Sequence, residues 1–172
     1  SACLVGSEMC IRDSFLSFPD FRPLVMSNPS THSVEAVAFE YMQYEWKVLD
    51  PSVKLDFEVL QKGQPASFFL VISRDRADRN WIVAEDRSDG PLRFYVYDRD
   101  RKQAQFLFTP QPQFEKYKLT QPKAMLIPAR DGLNLVSYLT LPPRTEARNL
   151  PLILYPHGGP WARDDWGFDP FT

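Results

Sequence analysis

Short runs of β-forming residues alternate with polar turns between residues 67 and 108, and this alternation most constrains the fold. The runs are residues 67–73, 80–86, 92–97 and 103–108. We interpret the charged segments between them as solvated hairpin tips; these are residues 74–79, 87–91 and 98–102. The length and rhythm match one blade of a β-propeller, although a sheet of a β-sandwich has the same local pattern. The sequence therefore predicts a mainly β chain.

A long strand and one short helix are predicted before these runs. Residues 34–49 are rich in β-branched and aromatic residues, which favour a strand. Asp50 and Pro51 have the residue types of a helix N-cap and a first helical position, and Gly63 supplies the end. One helical face would be apolar, through Val53, Phe57 and Leu60.

The chain divides into a leader and two predicted domains. Residues 1–14 lack the features of a signal peptide and resemble translated sequencing-adaptor sequence, so we expect a non-native leader. The proline-containing stretch 109–122 is interpreted as a domain boundary. Residues 15–118 are then expected to form a partial β-propeller domain, and residues 119–172 the beginning of a second domain.

Two kinds of strand are predicted after this boundary. Residues 124–129 and 133–141 predict a hairpin, because Asp131–Gly132 is a favoured tight turn. Residues 151–155 form a continuous apolar run, as expected for a strand buried inside a sheet.

The apolar run leads into a motif with chemical meaning, His157-Gly158-Gly159-Pro160-Trp161. A glycine pair directly after a buried strand lets the backbone turn sharply and approach a ligand closely. In α/β-hydrolases, a His-Gly-Gly motif at such a strand end presents a backbone N–H to the oxyanion of the tetrahedral intermediate. The sequence therefore indicates an oxyanion loop.

Several segments together resemble the prolyl oligopeptidase family of serine peptidases at the start of its catalytic domain. These are Ala-Arg-Asp-Gly-Leu at 129–133, Tyr-Leu-Thr-Leu-Pro at 138–142, the stretch 150–164 around the His-Gly-Gly-Pro motif, and Trp-Gly-Phe-Asp-Pro at 166–170. Residues 34–60 and 80–83 also resemble the propeller of bacterial members, less specifically. The resemblance implies the last blade or blades of a β-propeller followed by the first strands of an α/β-hydrolase domain.

The resemblance also implies an activity and its site residues. The intact protein would hydrolyse short peptides through a Ser, Asp and His triad, with Ser in a Gly-x-Ser-x-Gly turn. That turn does not occur in these 172 residues, so we expect a fragment that is catalytically inactive alone. The expected roles are oxyanion donor for the Gly159 backbone N–H, turn former for Gly158 and loop positioning for His157.

The residues around the motif have expected roles in packing and pairing. Trp161, Trp166 and Phe168 are expected to pack the loop against the sheet rather than bind substrate. Arg163 is expected to pair with a carboxylate that the sequence does not identify. These roles concern support of the loop and not its chemistry.

Composition and charge limit the kinds of partner that we expect this chain to bind. A net charge of -2 and a pI near 5.7 argue against nucleic acid as the main partner. No apolar run approaches the roughly 18 residues of a membrane helix. His32 and His157 are distant and lack a ligand cluster, so no metal or cofactor is expected.

Two alternative functions remain open. A complete β-rich binding module would leave the His-Gly-Gly motif unexplained, and an esterase or lipase relative fits the long β-rich segment poorly.

Overall fold

Three antiparallel sheets and one α-helix make up the described part of the chain. The structure, a computed structural model, describes residues 24–63, 67–159 and 162–169, so the predicted leader lies outside the described residues. The strands are β1 (Leu24–Ser27), β2 (Val34–Glu40), β3 (Tyr44–Val48), β4 (Phe68–Arg74), β5 (Asn80–Asp86), β6 (Arg93–Asp98), β7 (Gln103–Phe108), β8 (Lys123–Pro128) and β9 (Asn134–Leu139). They form open sheets in the orders β1-β2-β3, β4-β5-β6-β7 and β8-β9. The predicted mainly β character is confirmed.

A hairpin replaces the single long strand that we predicted over residues 34–49. β2 and β3 pair antiparallel, with Ala38 opposite Trp46. The chain reverses at residues 41–43, where the Tyr41 N–H donates to the Gln43 carbonyl oxygen at 3.4 Å. The prediction was wrong because aromatic side chains at the turn have the same β propensity as the strands, while cross-strand packing decides where the chain folds back.

The helix forms as predicted. The Asp50 carboxylate accepts a hydrogen bond from the Ser52 N–H at 2.8 Å, and a 3₁₀ turn over Pro51–Val53 leads into α1 (Lys54–Gly63). Val53 and Phe57 are buried on the predicted face. No helix in the described part of the chain is long and apolar enough to cross a membrane.

The four predicted runs form one antiparallel meander. β4, β5, β6 and β7 pair in chain order, so that Val83 lies opposite both Val71 and Tyr95. This strand number and order are those of one β-propeller blade. β7 lies at one edge of the sheet, and all its residues are exposed.

The hydrophobic core lies where α1 meets the first two sheets. Its buried residues are Met26, Ala36, Val53, Phe57, Phe69, Trp81, Val83 and Tyr97. The Phe57 ring meets Trp46 and Phe69 edge-on, with centroid distances of 5.3 and 5.1 Å. The helix therefore joins two sheets that share no backbone pairing.

The three charged turns are not simply solvated, which contradicts our prediction. In the turn 87–91, residues Ser88, Gly90 and Pro91 are buried, and the other two turns are built into the core around Trp81. The guanidinium groups of Arg74 and Arg99 lie 4.8 and 4.7 Å from the Trp81 ring centroid. Asp78 accepts hydrogen bonds from both arginines at 2.5 Å and from the Trp81 indole N–H at 2.7 Å. The Arg74 side chain is only 7% exposed.

Further carboxylates extend this cluster to β2 and α1. Arg74 also donates to Glu35 at 2.5 Å, and Arg99 donates to the buried Asp56 at 2.9 Å. Charged groups can be buried when they are paired in this way. The partners lie 39 and 43 residues apart, so a local sequence pattern gives no sign of the pairing.

The predicted Asp131–Gly132 hairpin is confirmed. β8 and β9 pair antiparallel from Lys123 opposite Leu139 to Pro128 opposite Asn134. Gly132 has a φ of 87°, in the left-handed region that glycine adopts without strain, and its N–H donates to the Ala129 carbonyl oxygen at 3.1 Å.

The predicted buried strand at residues 151–155 does not form. Leu152, Ile153 and Leu154 are 81%, 88% and 84% exposed and belong to no strand. A continuous apolar run becomes a buried strand only where neighbouring strands pair with it and its two faces are covered. Among the described residues no strand pairs with this segment.

Candidate functional site

The His-Gly-Gly loop follows the exposed apolar segment as an open bend. His157, Gly158 and Gly159 are all exposed, and the bend lies at the two glycines. The His157 Nδ1 lies 2.8 Å from the Gly158 carbonyl oxygen. Because a carbonyl oxygen only accepts, this contact requires the tautomer with a hydrogen on Nδ1. It is a local contact of the kind expected for a histidine that positions its loop.

The structure leaves the chemical roles of the two glycines as predictions. A Cβ added to Gly158 would meet nothing within 4 Å, and its φ lies outside the left-handed region. Neither a close approach nor a strained backbone therefore demands glycine at position 158 here. The assignment of the Gly159 N–H to an oxyanion is a statement about a bound substrate, and it stays a prediction.

The segment after the motif is anchored to the first two sheets by two carboxylates. The Trp166 N–H donates to Glu40 Oε1 at 2.7 Å, at the end of β2. The Phe168 N–H donates to Asp86 Oδ1 at 3.2 Å, at the end of β5. Sequence reasoning missed both anchors, since the partners are separated by 126 and 82 residues. The only local signal is an acidic residue at the end of a run of β-forming residues.

Arg163 binds the same hairpin as Trp166 does, the one formed by β2 and β3. Its guanidinium donates to the Tyr41 carbonyl oxygen at 2.8 Å, in the turn between β2 and β3. It also lies 4.0 Å from Glu40 and 3.8 Å from Asp165, which identifies the carboxylates that the sequence left unassigned. Arg163 also donates to the Tyr138 hydroxyl oxygen on β9 at 3.4 Å, so it connects the first and third sheets.

Burial of Glu40 gives this anchor an unusual protonation behaviour. Glu40 is 6% exposed, and this burial, with the nearby charge of Asp165, raises the pKa of Glu40 to about 7. The Trp166 N–H and the charge of Arg163 act in the opposite direction and do not cancel the effect of burial. The carboxyl group therefore changes charge near neutral pH.

The second anchor, the Asp86 carboxylate, packs closely against residues 167 and 168. Burial raises the pKa of Asp86, while hydrogen bonds from the Ser88 and Phe168 N–H groups oppose the shift. A Cβ on Gly167 would lie 2.6 Å from the Asp86 Oδ2 atom, which is closer than real Cβ contacts. Glycine at position 167 therefore lets the segment approach this carboxylate.

Aromatic packing completes the attachment: Trp166 packs against a sheet as predicted, whereas Phe168 packs on Phe114, in the 3₁₀ turn Pro112–Phe114 and outside the sheets. Trp166 is buried, and its ring lies 5.9 Å from Tyr138; the rings of Phe168 and Phe114 lie 5.5 Å apart. Trp166 also forms part of the wall of a groove of about 650 Å³ between β3, α1 and β4. Trp161 lies outside the described residues.

The described residues give no indication of a metal centre. Within residues 24–63, 67–159 and 162–169, no three His, Cys, Asp or Glu side chains come together as a set of metal ligands. His32 lies in an exposed turn with a φ of 59°, far in sequence from the His-Gly-Gly loop.

The fold and site together define a mainly β chain with a blade-like meander and an anchored His-Gly-Gly segment. Over 154 residues it is 39% identical to dipeptidyl aminopeptidase BIII of Pseudoxanthomonas mexicana. Over 169 residues it is 27% identical to dipeptidyl peptidase family member 6 of Caenorhabditis elegans. Each match includes 86% of this chain, but the chain spans only 22% and 23% of these relatives. No family model matches the chain, and no solved structure matches it significantly.

Proposed function

We propose that this chain is part of a serine peptidase of the prolyl oligopeptidase family that removes dipeptides from the N-terminus of peptides. The observation that carries the proposal is the 39% identity to a dipeptidyl aminopeptidase over most of this chain. The blade-like meander and the His-Gly-Gly-Pro motif support it, because both have counterparts in the resemblance described above. The predicted boundary after residue 118 would separate the propeller part from β8 and β9, at the start of an α/β-hydrolase domain.

In this proposal the chain contributes one element of the reaction. The nucleophile, which the chain itself lacks, would attack the scissile carbonyl, and the Gly159 N–H would donate to the oxygen as it gains negative charge. Loss of one such donor costs about 2.7 to 4 kcal/mol in the barrier, or about 10² to 10³ in kcat. His157 would hold the loop through its contact with the Gly158 carbonyl oxygen.

The direct test compares the complete gene product with the 172-residue chain. We expect the complete protein to release 4-nitroaniline from a dipeptidyl-4-nitroanilide with a free amino group, and not from its N-acetylated counterpart. An organophosphorus reagent directed at serine should abolish this release. The 172-residue chain should release none. Failure of the complete protein to cleave the free dipeptidyl substrate would reject the proposal, as would hydrolysis by the 172-residue chain.

The oxyanion role has its own test in the complete protein. Gly159→Pro removes the backbone N–H and should lower kcat about 10²-fold or more, with a much smaller change in KM. Gly158→Ala is the matched control, because a Cβ at position 158 meets nothing within 4 Å. Equal kcat values for the two variants would refute the assignment of Gly159.

A further inference from the structure

We propose that Glu40 is a positioning residue whose buried carboxyl group, at the end of β2, holds the segment after the His-Gly-Gly loop in a protonation-dependent manner. The docking itself follows from the contacts of Glu40 with Trp166 and its neighbours. Only the consequence for catalysis rests on the proposed function. Glu40 would act through Trp166 and Arg163, and it would not touch the reacting atoms.

The covalent distance between the anchor and the loop is short. Arg163 lies four positions after Gly159, and an extended chain covers at most about 14 Å over four residue steps. Arg163 is itself fixed to the Tyr41 carbonyl oxygen, and Trp166 to the Glu40 carboxyl group. Release of these contacts would therefore free the loop, because the segment 151–155 that precedes it is exposed and unpaired.

Four titratable side chains face the Glu40 carboxyl group. Tyr44 on β3, Tyr138 on β9, and Arg163 and Asp165 on the segment surround the carboxyl group. Burial and Asp165 disfavour its charged form, whereas the Trp166 N–H and Arg163 favour that form. A protonated Glu40 still accepts from the Trp166 N–H through its carbonyl oxygen, so docking does not require the charge.

Docking of the segment should weaken as the pH rises. The pKa of Glu40 is about 7 in the docked state. Contact with water after the segment leaves would return this pKa toward the ordinary value of 4.5. A carboxyl group whose pKa is raised by docking takes up a proton on docking, so its stabilisation of the docked state is complete below pH 4.5 and is lost as the pH rises through 7. With these two pKa values, the docking equilibrium should weaken on the order of thirtyfold between pH 5.5 and 8.5.

The test measures hydrogen–deuterium exchange of the 172-residue chain at pH 5.5, 7.0 and 8.5, with protection corrected for the intrinsic exchange rate. In the unmodified chain, protection of residues 162–169 should fall on the order of thirtyfold across this range. Glu40→Gln keeps a hydrogen-bond acceptor but cannot titrate. Less than half of the pH-dependent change in log protection should therefore remain in this variant, and titration of Asp86 would account for the remainder. Glu45→Gln, an exposed change in the neighbouring strand, should leave the full change.

Two outcomes would overturn the proposal. One is protection of residues 162–169 that does not depend on pH in the unmodified chain, and the other is an unchanged pH dependence in Glu40→Gln. If Glu40→Gln fails to fold, ¹³C NMR titration of the Glu40 carboxyl group in the unmodified chain decides, since a midpoint below 5.5 contradicts the proposal. In the complete protein, Glu40→Gln should alter the alkaline limb of the kcat profile. Absence of peptidase activity would reject the proposed function and leave the exchange result intact.

Discussion

Replacement of Asp56 by Asn tests whether the buried ionic cluster holds the helix to the blade. Asp56 lies on α1 with no exposed surface. It accepts hydrogen bonds from the Tyr97 hydroxyl at 2.9 Å, from two nitrogens of Arg99 at 2.9 and 3.1 Å, and from the Lys102 ammonium group. Asn has nearly the same shape but is neutral, and in either orientation its amide NH₂ would face the cationic group of Arg99 or of Lys102, which can only donate.

The magnitude follows from the burial of the partners. Removal of one member of a buried ion pair costs about 3 to 5 kcal/mol, because the remaining charge stays buried without a counter-charge. The side chains of Arg99 and Lys102 keep 18% and 32% of their exposure, so water can partly solvate them. We therefore expect the lower end, a loss of about 3 kcal/mol in the free energy of unfolding.

Urea unfolding followed by tryptophan fluorescence measures this loss, since Trp81 lies within the cluster. The matched control is Asp100→Asn, which makes the same chemical change in a 4.0 Å pair with Arg79 whose side chains are 72% and 69% exposed. Exposed pairs contribute about 0 to 1 kcal/mol, so the control should remain close to the unmodified chain. If Asp56→Asn and Asp100→Asn unfold within about 0.5 kcal/mol of each other, the cluster does not stabilise the fold as argued.

Three further substitutions test the turn, the core and the second anchor. Gly132→Ala should cost about 1 to 2 kcal/mol in urea unfolding, because a φ of 87° is unfavourable for alanine; an unchanged midpoint would contradict the turn geometry. Phe57→Ala should cost about 3 to 5 kcal/mol, against less than about 0.5 for Leu55→Ala on the exposed face of α1, and similar losses would contradict the core assignment. Gly167→Ala should speed amide exchange at residues 166–168, because its Cβ would lie 2.6 Å from Asp86; unchanged exchange would show that the carboxylate yields freely.

Local signals predicted the elements whose causes are themselves local. The Asp50 cap with Pro51, the Asp131–Gly132 turn and the alternating runs between residues 67 and 108 each specify a conformation within a few residues. The structure has all three. The four-strand meander was predictable because every strand pairs with its neighbour in the chain, so no long-range choice of partner was involved.

The failures share a dependence on distant partners. The charged turns were predicted to be solvated, yet Arg74 and Arg99 pair with Glu35 and Asp56, which belong to other elements. Their burial is decided by the packing of β2 and α1 against the second sheet, which no window of sequence contains. Residues 151–155 show the opposite error, since an apolar run alone does not supply the paired strands that would bury it.

The candidate site depends both on a local sequence motif and on distant partners, so residues far from the motif in the sequence should influence it. The His-Gly-Gly motif is visible in the sequence because the chemistry proposed for it depends on adjacent backbone groups. Its support depends on Glu40, 126 residues before its Trp166 partner, and on Asp86, 82 residues before Phe168. Both carboxylates lie at strand ends and accept a backbone N–H, so this part of the attachment depends on the acceptors in β2 and β5 and not on the identity of the anchored side chains. Substitutions in β2 and β5 should therefore affect the loop as strongly as substitutions beside it.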